Sequence, residues 1–193
     1  MFSKLIIVAA MAMLSIGAQA GIASANMVTN GGFETGNFSS WTLSNVDTVY
    51  TFVVNSGTQY EGNYEAILGQ SGSVGTISQT LATTAGQEYN VNFWLKSDDV
   101  STTNVFQALW NGVVQNINPV LDPNSASPYT DYQFTATAAD ASSSSTIAFN
   151  FQNDPSFFHL DDVTAAPVPE PSTMLLLGAG LTGLVMMRRM REA

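Results

Sequence analysis

Glu88-Tyr89-Asn90-Val91-Asn92-Phe93-Trp94-Leu95-Lys96-Ser97 alternates without a break. Successive side chains of an extended chain point to opposite faces. Tyr89, Val91, Phe93 and Leu95 therefore share one side, and Asn90, Asn92, Trp94 and Lys96 the other. One apolar and one polar side describe a strand buried on one face and solvated on the other, as in antiparallel sheets. The same period recurs on both sides of this segment. Downstream, Thr103–Trp110 and Val113–Ile117 flank Asn111-Gly112, a pair that accepts the positive φ angles of a two-residue hairpin. Tyr132, Phe134 and Ala136 alternate with Gln133 and Thr135. Ile147, Phe149 and Phe151 alternate with Ala148, Asn150 and Gln152, and Phe158–Ala165 closes the series. Upstream, Thr48–Val54 is β-branched and aromatic, and Val74–Leu81 follows a Gly/Ser turn. About nine or ten short strands, with no sustained helical period outside the two ends, predict an all-β antiparallel sandwich over residues 26–166. Ser142–Ser145 reads as a polar turn and Ala165-Ala166-Pro167 as a linker. Trp41 reads as core, with Phe33 and Phe38 nearby.

The chain has 193 residues and no cysteine, which excludes disulfides, zinc–thiolate sites and thiol nucleophiles. Four of its five basic residues, Lys4, Arg188, Arg189 and Arg191, sit at the ends. Lys96 is the single base between Gly21 and Pro167, against thirteen acids, a formal charge of −12. Such a body repels phosphate backbones, so nucleic acid is excluded as a partner.

The ends read as addresses. Lys4, the apolar run Leu5–Ile16 and Ala18-Gln19-Ala20 make a signal peptide over residues 1–20, with an alternative end at 25 after Ala23-Ser24-Ala25. At the other end, Val168-Pro169-Glu170-Pro171-Ser172-Thr173 precedes an apolar run at 174–187 and then Arg188-Arg189-Met190-Arg191. As a transmembrane helix those 14 residues span roughly 21 Å, short for a hydrocarbon core of about 30 Å. The arginines remain cytoplasmic by the positive-inside rule, which leaves the body outside.

Val168, Pro169, Glu170 and Pro171, the Gly-rich apolar segment and the cluster headed by Arg188 and Arg189 resemble a PEP-CTERM sorting tail over residues 168–193. The resemblance implies export and transient engagement of the inner membrane through the helix. It further implies processing by exosortase near Pro169-Glu170-Pro171, with the product going to the cell surface or extracellular matrix. The implied source is a Gram-negative-type bacterium that makes exopolysaccharide. The tail also carries the label "ice-binding protein C-terminal", which describes a sorting segment and implies no ice binding.

Asn30-Gly31-Gly32-Phe33-Glu34, Trp41, Tyr60-Glu61-Gly62-Asn63-Tyr64-Glu65-Ala66 and Phe158-His159-Leu160-Asp161-Asp162-Val163 resemble, in that order, the galactose-binding-like jelly roll of carbohydrate-binding modules. Asn153-Asp154-Pro155-Ser156-Phe157-Phe158 is similar to secreted PEP-CTERM proteins of this type. The fold resemblance implies a structural Ca²⁺ tying the N-terminal segment to the last strand. Its ligands would be Glu34, Glu61 and Asp161 or Asp162, with main-chain oxygens near Gly32 and Asn63. Ca²⁺ takes six to eight oxygens, carboxylates included; the alternative is that these acids are solvated turn residues. Asp161 and Asp162 point to opposite faces of a regular strand, so one of the two is expected as ligand.

Aromatic rings stack on sugar C–H faces, and amides bond sugar hydroxyls. Trp94, Asn92, Asn150, Gln152 and Trp110 are the candidate glycan-binding residues; the alternative for Trp94 is packing beneath a loop. No catalytic residue stands out. His159 is the one histidine, no nucleophile elbow accompanies it, and nothing selects two of thirteen carboxylates as a hydrolytic pair. Asn37-Phe38-Ser39 is a glycosylation sequon by pattern alone. The expectation is a non-catalytic surface or matrix protein that binds polysaccharide. Alternatives are an adhesion or structural matrix protein with no glycan site and, more distantly, a secreted hydrolase.

Overall fold

The computed structural model describes residues 25–169 except 141 and 155, together with Arg188. The expected signal segment 1–20 and apolar span 174–187 lie outside the described residues. Ten strands follow in order: β1 (Thr42–Ser44), β2 (Thr51–Val54), β3 (Glu65–Leu68), β4 (Gly75–Ala82), β5 (Glu88–Ser97), β6 (Val105–Trp110), β7 (Val113–Val114), β8 (Ser127–Thr137), β9 (Ser144–Gln152) and β10 (Phe158–Pro167). They form two five-stranded sheets, β1-β4-β9-β6-β7 and β2-β3-β10-β5-β8, paired antiparallel throughout.

The alternation explains the packing. On β5, Tyr89, Val91, Phe93 and Leu95 are buried, and on β9 so are Ile147, Phe149 and Phe151. These inner faces meet: the Phe93 and Phe149 rings sit edge to face, centroids 5.0 Å apart. Phe33, Phe38 and Trp41 cluster at the margin of the same core, as their composition predicts. The Asn111-Gly112 hairpin has positive φ at both residues, 51° and 79°. Asn111 also accepts a hydrogen bond from the Thr146 N–H, at 2.8 Å.

Three sequence expectations are corrected. Ala165-Ala166-Pro167 is no linker: these residues end β10 and pair with Val91, Asn90 and Tyr89 of β5. Ser144 and Ser145 belong to β9 rather than to a turn, because their main chains pair with Ala82 and Leu81. Asp161 and Asp162 do not sit in a regular strand. A register shift separates Asp161 from Thr164, and Asp162 takes a φ of 43°, so the alternation that would send them to opposite faces is lost.

One end of the sandwich carries the turns 45–50, 69–74, 98–104 and 153–157. The other carries 83–87, 111–112, 138–143 and the exit of β10 toward the tail. The 55–64 connection folds back over the outer face of the second sheet, where Tyr60 meets Trp94 of β5.

Candidate functional site

That outer face holds the densest chemistry among the described residues. Trp94 projects from β5, half-buried. Tyr60 stacks on it with centroids 3.7 Å apart and planes 12° apart. The Tyr129 ring lies 6.0 Å from that of Tyr60. Tyr60 keeps 41% of its surface exposed, so it presents an open ring with Trp94 as its backing. Asn92 stands two residues from Trp94, with a buried side-chain oxygen that has no partner. Asp131 and Gln133 of β8 pair with Trp94 and Asn92 and are exposed.

Two carboxylates hold the 55–64 turn in place. Asp161 Oδ2 accepts the main-chain N–H groups of Tyr60 and Glu61 at 3.0 and 3.1 Å. Glu34 accepts those of Asn63 and Tyr64 at 2.8 and 3.0 Å. Gly62, at φ 68°, lies so close that a Cβ there would strike the Glu34 carboxylate. Asp161 is fully buried, and burial pushes its carboxyl up to about 6, against the pull of its N–H partners.

Gly32, Glu34, Glu61, Gly62, Asp161 and Asp162 line one cavity of about 320 Å³. The bulge brings both aspartates to it. Donor chemistry here suits a hard, oxygen-seeking cation. Convergence is incomplete: among the described residues no three acidic or histidine side chains gather closely enough to hold a metal. As they stand, Glu34 and Asp161 serve N–H donors.

A second network underlies the aromatic stack. His159 is buried, with Nδ1 3.0 Å from Glu65 Oε2 and Nε2 2.7 Å from Asp98 Oδ2. Tyr129 Oη donates to the same Glu65 oxygen. Burial opposes a charged imidazole, but the hydrogen bonds and charges of Glu65 and Asp98 prevail and raise the His159 pKa. Burial likewise opposes a charged Glu65, and its bonds to His159 and Tyr129 prevail to lower its pKa. Lys96, the one base of the body, pairs with Asp98 at 2.8 Å. With a carboxylate on each ring nitrogen, His159 has neither nitrogen free for a serine.

The structure separates the predicted glycan residues. Trp94 and Asn92 lie on the outer face of the second sheet. Asn150 and Gln152 lie on β9, on the outer face of the first sheet, across the core. Asn150 is already engaged there: it accepts from Thr76 Oγ1 at 2.8 Å and donates to Gln107 at 3.3 Å. Trp110 is corrected to a core residue. It is 3% exposed, stacks on Tyr89 and donates its indole N–H to the Thr137 carbonyl. Tyr60, Tyr129, Glu65, Asp98 and the role of His159 were not selected from sequence.

Residues 167–191 match the model of the PEP-CTERM protein-sorting motif. The chain carries a PEP-CTERM tail. Val168 of that tail is bound to the sandwich: its N–H donates to the Glu88 carbonyl and its own carbonyl accepts from Gln87, both at 2.8 Å. Pro169 is exposed. Glu170, Pro171 and Arg189 lie outside the described residues.

No curated protein matches the chain in sequence. Solved structures share its fold. The enzymatically active domain of bacteriophage CBA120 tailspike protein 4 is similar over 74% of this chain and 21% of its own length (TM-score 0.56, 19% identity). A family 16 carbohydrate-binding module is similar over 73% and 99% (0.51, 19%). TmCBM61, solved with β-1,4-galactotriose, is similar over 75% and 100% (0.50, 18%). The chain thus spans about a fifth of the tailspike and the full length of the modules. The domain shares the β-sandwich fold of these carbohydrate-binding modules.

Proposed function

We propose that this protein is exported, processed by exosortase at its PEP-CTERM tail, and holds a polysaccharide of the cell surface or matrix without catalysing its cleavage. The observation that carries the reading is the Tyr60 ring, exposed and backed by Trp94 at 3.7 Å, beside Asn92, Asp131 and Gln133. A rigid, half-exposed ring with amides and a carboxylate at its rim is what a sugar face stacks on and bonds to. The similarity of fold to carbohydrate-binding modules supports it. The test is a glycan array probed with wild-type protein and Trp94→Ala. Retention of every hit by the variant would reject the platform. Processing is tested by mass spectrometry of the exported protein, where an intact C-terminus rejects it.

Ca²⁺ is part of this reading. It would be held at the 320 Å³ cavity by Glu34 and Asp161, helped by Glu61, Asp162 and main-chain oxygens. Its support is a fully buried Asp161 carboxylate to which, among the described residues, no cationic side chain is bonded. Saturating Ca²⁺ is expected to stabilise the protein by about 2–3 kcal/mol at 100 times Kd. Calorimetry showing no heat and no gain in Tm would reject the ion.

A second reading, adhesion, has its own observation. Val113, Val114 and Val120 are 64%, 52% and 91% exposed near the free edge of the first sheet. A blank array together with self-association that Val120→Asp abolishes would favour it.

A further inference from the structure

A second concave site lies at the end of the sandwich away from the tail. It is a cleft of about 200 Å³ between the turns 69–74 and 153–157, with Tyr50 and Phe157 as aromatic walls and Asn153, Asp154 and Ser71 as polar lining. Asn153 is 1% exposed, and neither its side-chain oxygen nor its nitrogen has a hydrogen-bond partner. Buried amides in native proteins are nearly always bonded, since an unbonded one weakens the fold. Its main chain is fixed by donation to the Gln70 carbonyl at 2.9 Å. The side-chain amide is left with its donors and its acceptor unused.

The walls are set with equal care. A Cβ on Gly69 would stand 2.5 Å from the Phe157 ring and 2.8 Å from the Tyr50 carbonyl, so only glycine lets that ring lie against the main chain. Ser71 Oγ donates to Asp154 Oδ2 at 2.6 Å, which orients the carboxylate at the rim. No basic residue lines the cleft, and the body's one base is paired elsewhere. Asp154 disfavours anions. Room for about six or seven waters is also room for one six-membered sugar ring.

We propose that this cleft binds a single neutral pyranose, a chain end or side branch, with vicinal hydroxyls on the Asn153 amide and the ring face against Tyr50 or Phe157. The proposal rests on the polysaccharide reading of the protein but not on the Tyr60–Trp94 platform.

The experiment uses the full chain in mild detergent. Saturation-transfer NMR is read with galactose, glucose, mannose and xylose, and with glucuronate and galacturonate as charged counterparts. At least one neutral sugar should give a signal that the uronates lack. Asn153→Leu should weaken it at least tenfold with Tm unchanged or raised, because the unbonded amide is gone. Tyr50→Ala, at an exposed wall, should weaken it too and serves if the first variant misfolds. Gln107→Ala, on the outer face of the first sheet, should leave it intact. Silence from all four neutral sugars, or an undiminished signal in both cleft variants, overturns the cleft even if polymer binding at Trp94 stands. Polymer binding undiminished in Trp94→Ala, with the monosaccharide signal lost in the cleft variants, overturns the platform instead.

Discussion

The two outer faces of the sandwich arise from the same alternation and differ in what they leave unsatisfied. On the first sheet, Thr76, Asn150 and Gln107 bond one another across three adjacent strands, neutral and mutually occupied. On the second, a turn folds back to lay Tyr60 on Trp94, and a fully buried Glu65 joins His159 to Tyr129. A polar ladder that closes on itself has little left for a ligand. A face assembled from buried charge and stacked rings is harder to build, and it keeps an aromatic surface open.

The largest way to break this contrast is Glu65→Ala. It strands His159 and Tyr129 together, and removing one partner of a buried ion pair costs about 3–5 kcal/mol. Urea unfolding should show that loss; a change below about 1 kcal/mol would mean the network carries no load.

Next comes pH, in calcium-free buffer. Asp161, raised from 3.8 to about 6 by burial, favours the fold below 3.8 and weakens it as pH climbs through 6. His159, held above 6.5 against burial by Glu65 and Asp98, adds stability below 6.5 that is lost as pH rises past its folded value. Glu65 and Asp98, held low against burial by their partners, act oppositely: their contribution fades as pH falls below about 4.5. Stability should fall as pH rises from about 5 toward 8, with Asp161 alone accounting for roughly 1–2 kcal/mol of the loss. Asp161→Asn should flatten part of that fall. A wild-type curve flat from pH 5 to 8 contradicts the burial.

Trp94→Ala sharpens the contrast on binding. Removing the backing ring should weaken polysaccharide affinity about tenfold, near 1.4 kcal/mol, as read by affinity electrophoresis. Asn150→Ala should leave affinity unchanged. It should cost only about 0.5–1.5 kcal/mol of stability, the worth of ordinary hydrogen bonds. Equal loss of affinity in both variants would erase the distinction between faces.

β5, an interior strand of the second sheet, was legible because Glu88–Ser97 alternates over its full length, and its observed bounds match. β3 was not, because all four of its residues are buried and no period shows. The sorting tail was legible as a linear motif. The gathering of Glu34, Glu61, Asp161 and Asp162 at one cavity could be anticipated only through resemblance. Nothing in the local sequence singles out Tyr60, and only the fold-back over β5 gives it a ring to stack on. Asn150 and Trp94 both read as polar-face residues. Alternation says which side of its own strand a residue takes but not which sheet that strand joins.

Val168 has one more consequence. With both its N–H and its carbonyl tied to the 87–88 segment, the sorting motif begins where the folded body ends. An enzyme that processed the tail as proposed would meet the folded domain at the motif's first residues, and would work flush against it or first peel the final strand. Meanwhile the ten residues of β10 act as a stiff mast of roughly 33 Å. The opposite tip, with Asn153, stands at the far end of that mast from the tail; a tail held at a membrane would put the cleft at the outermost point of the domain.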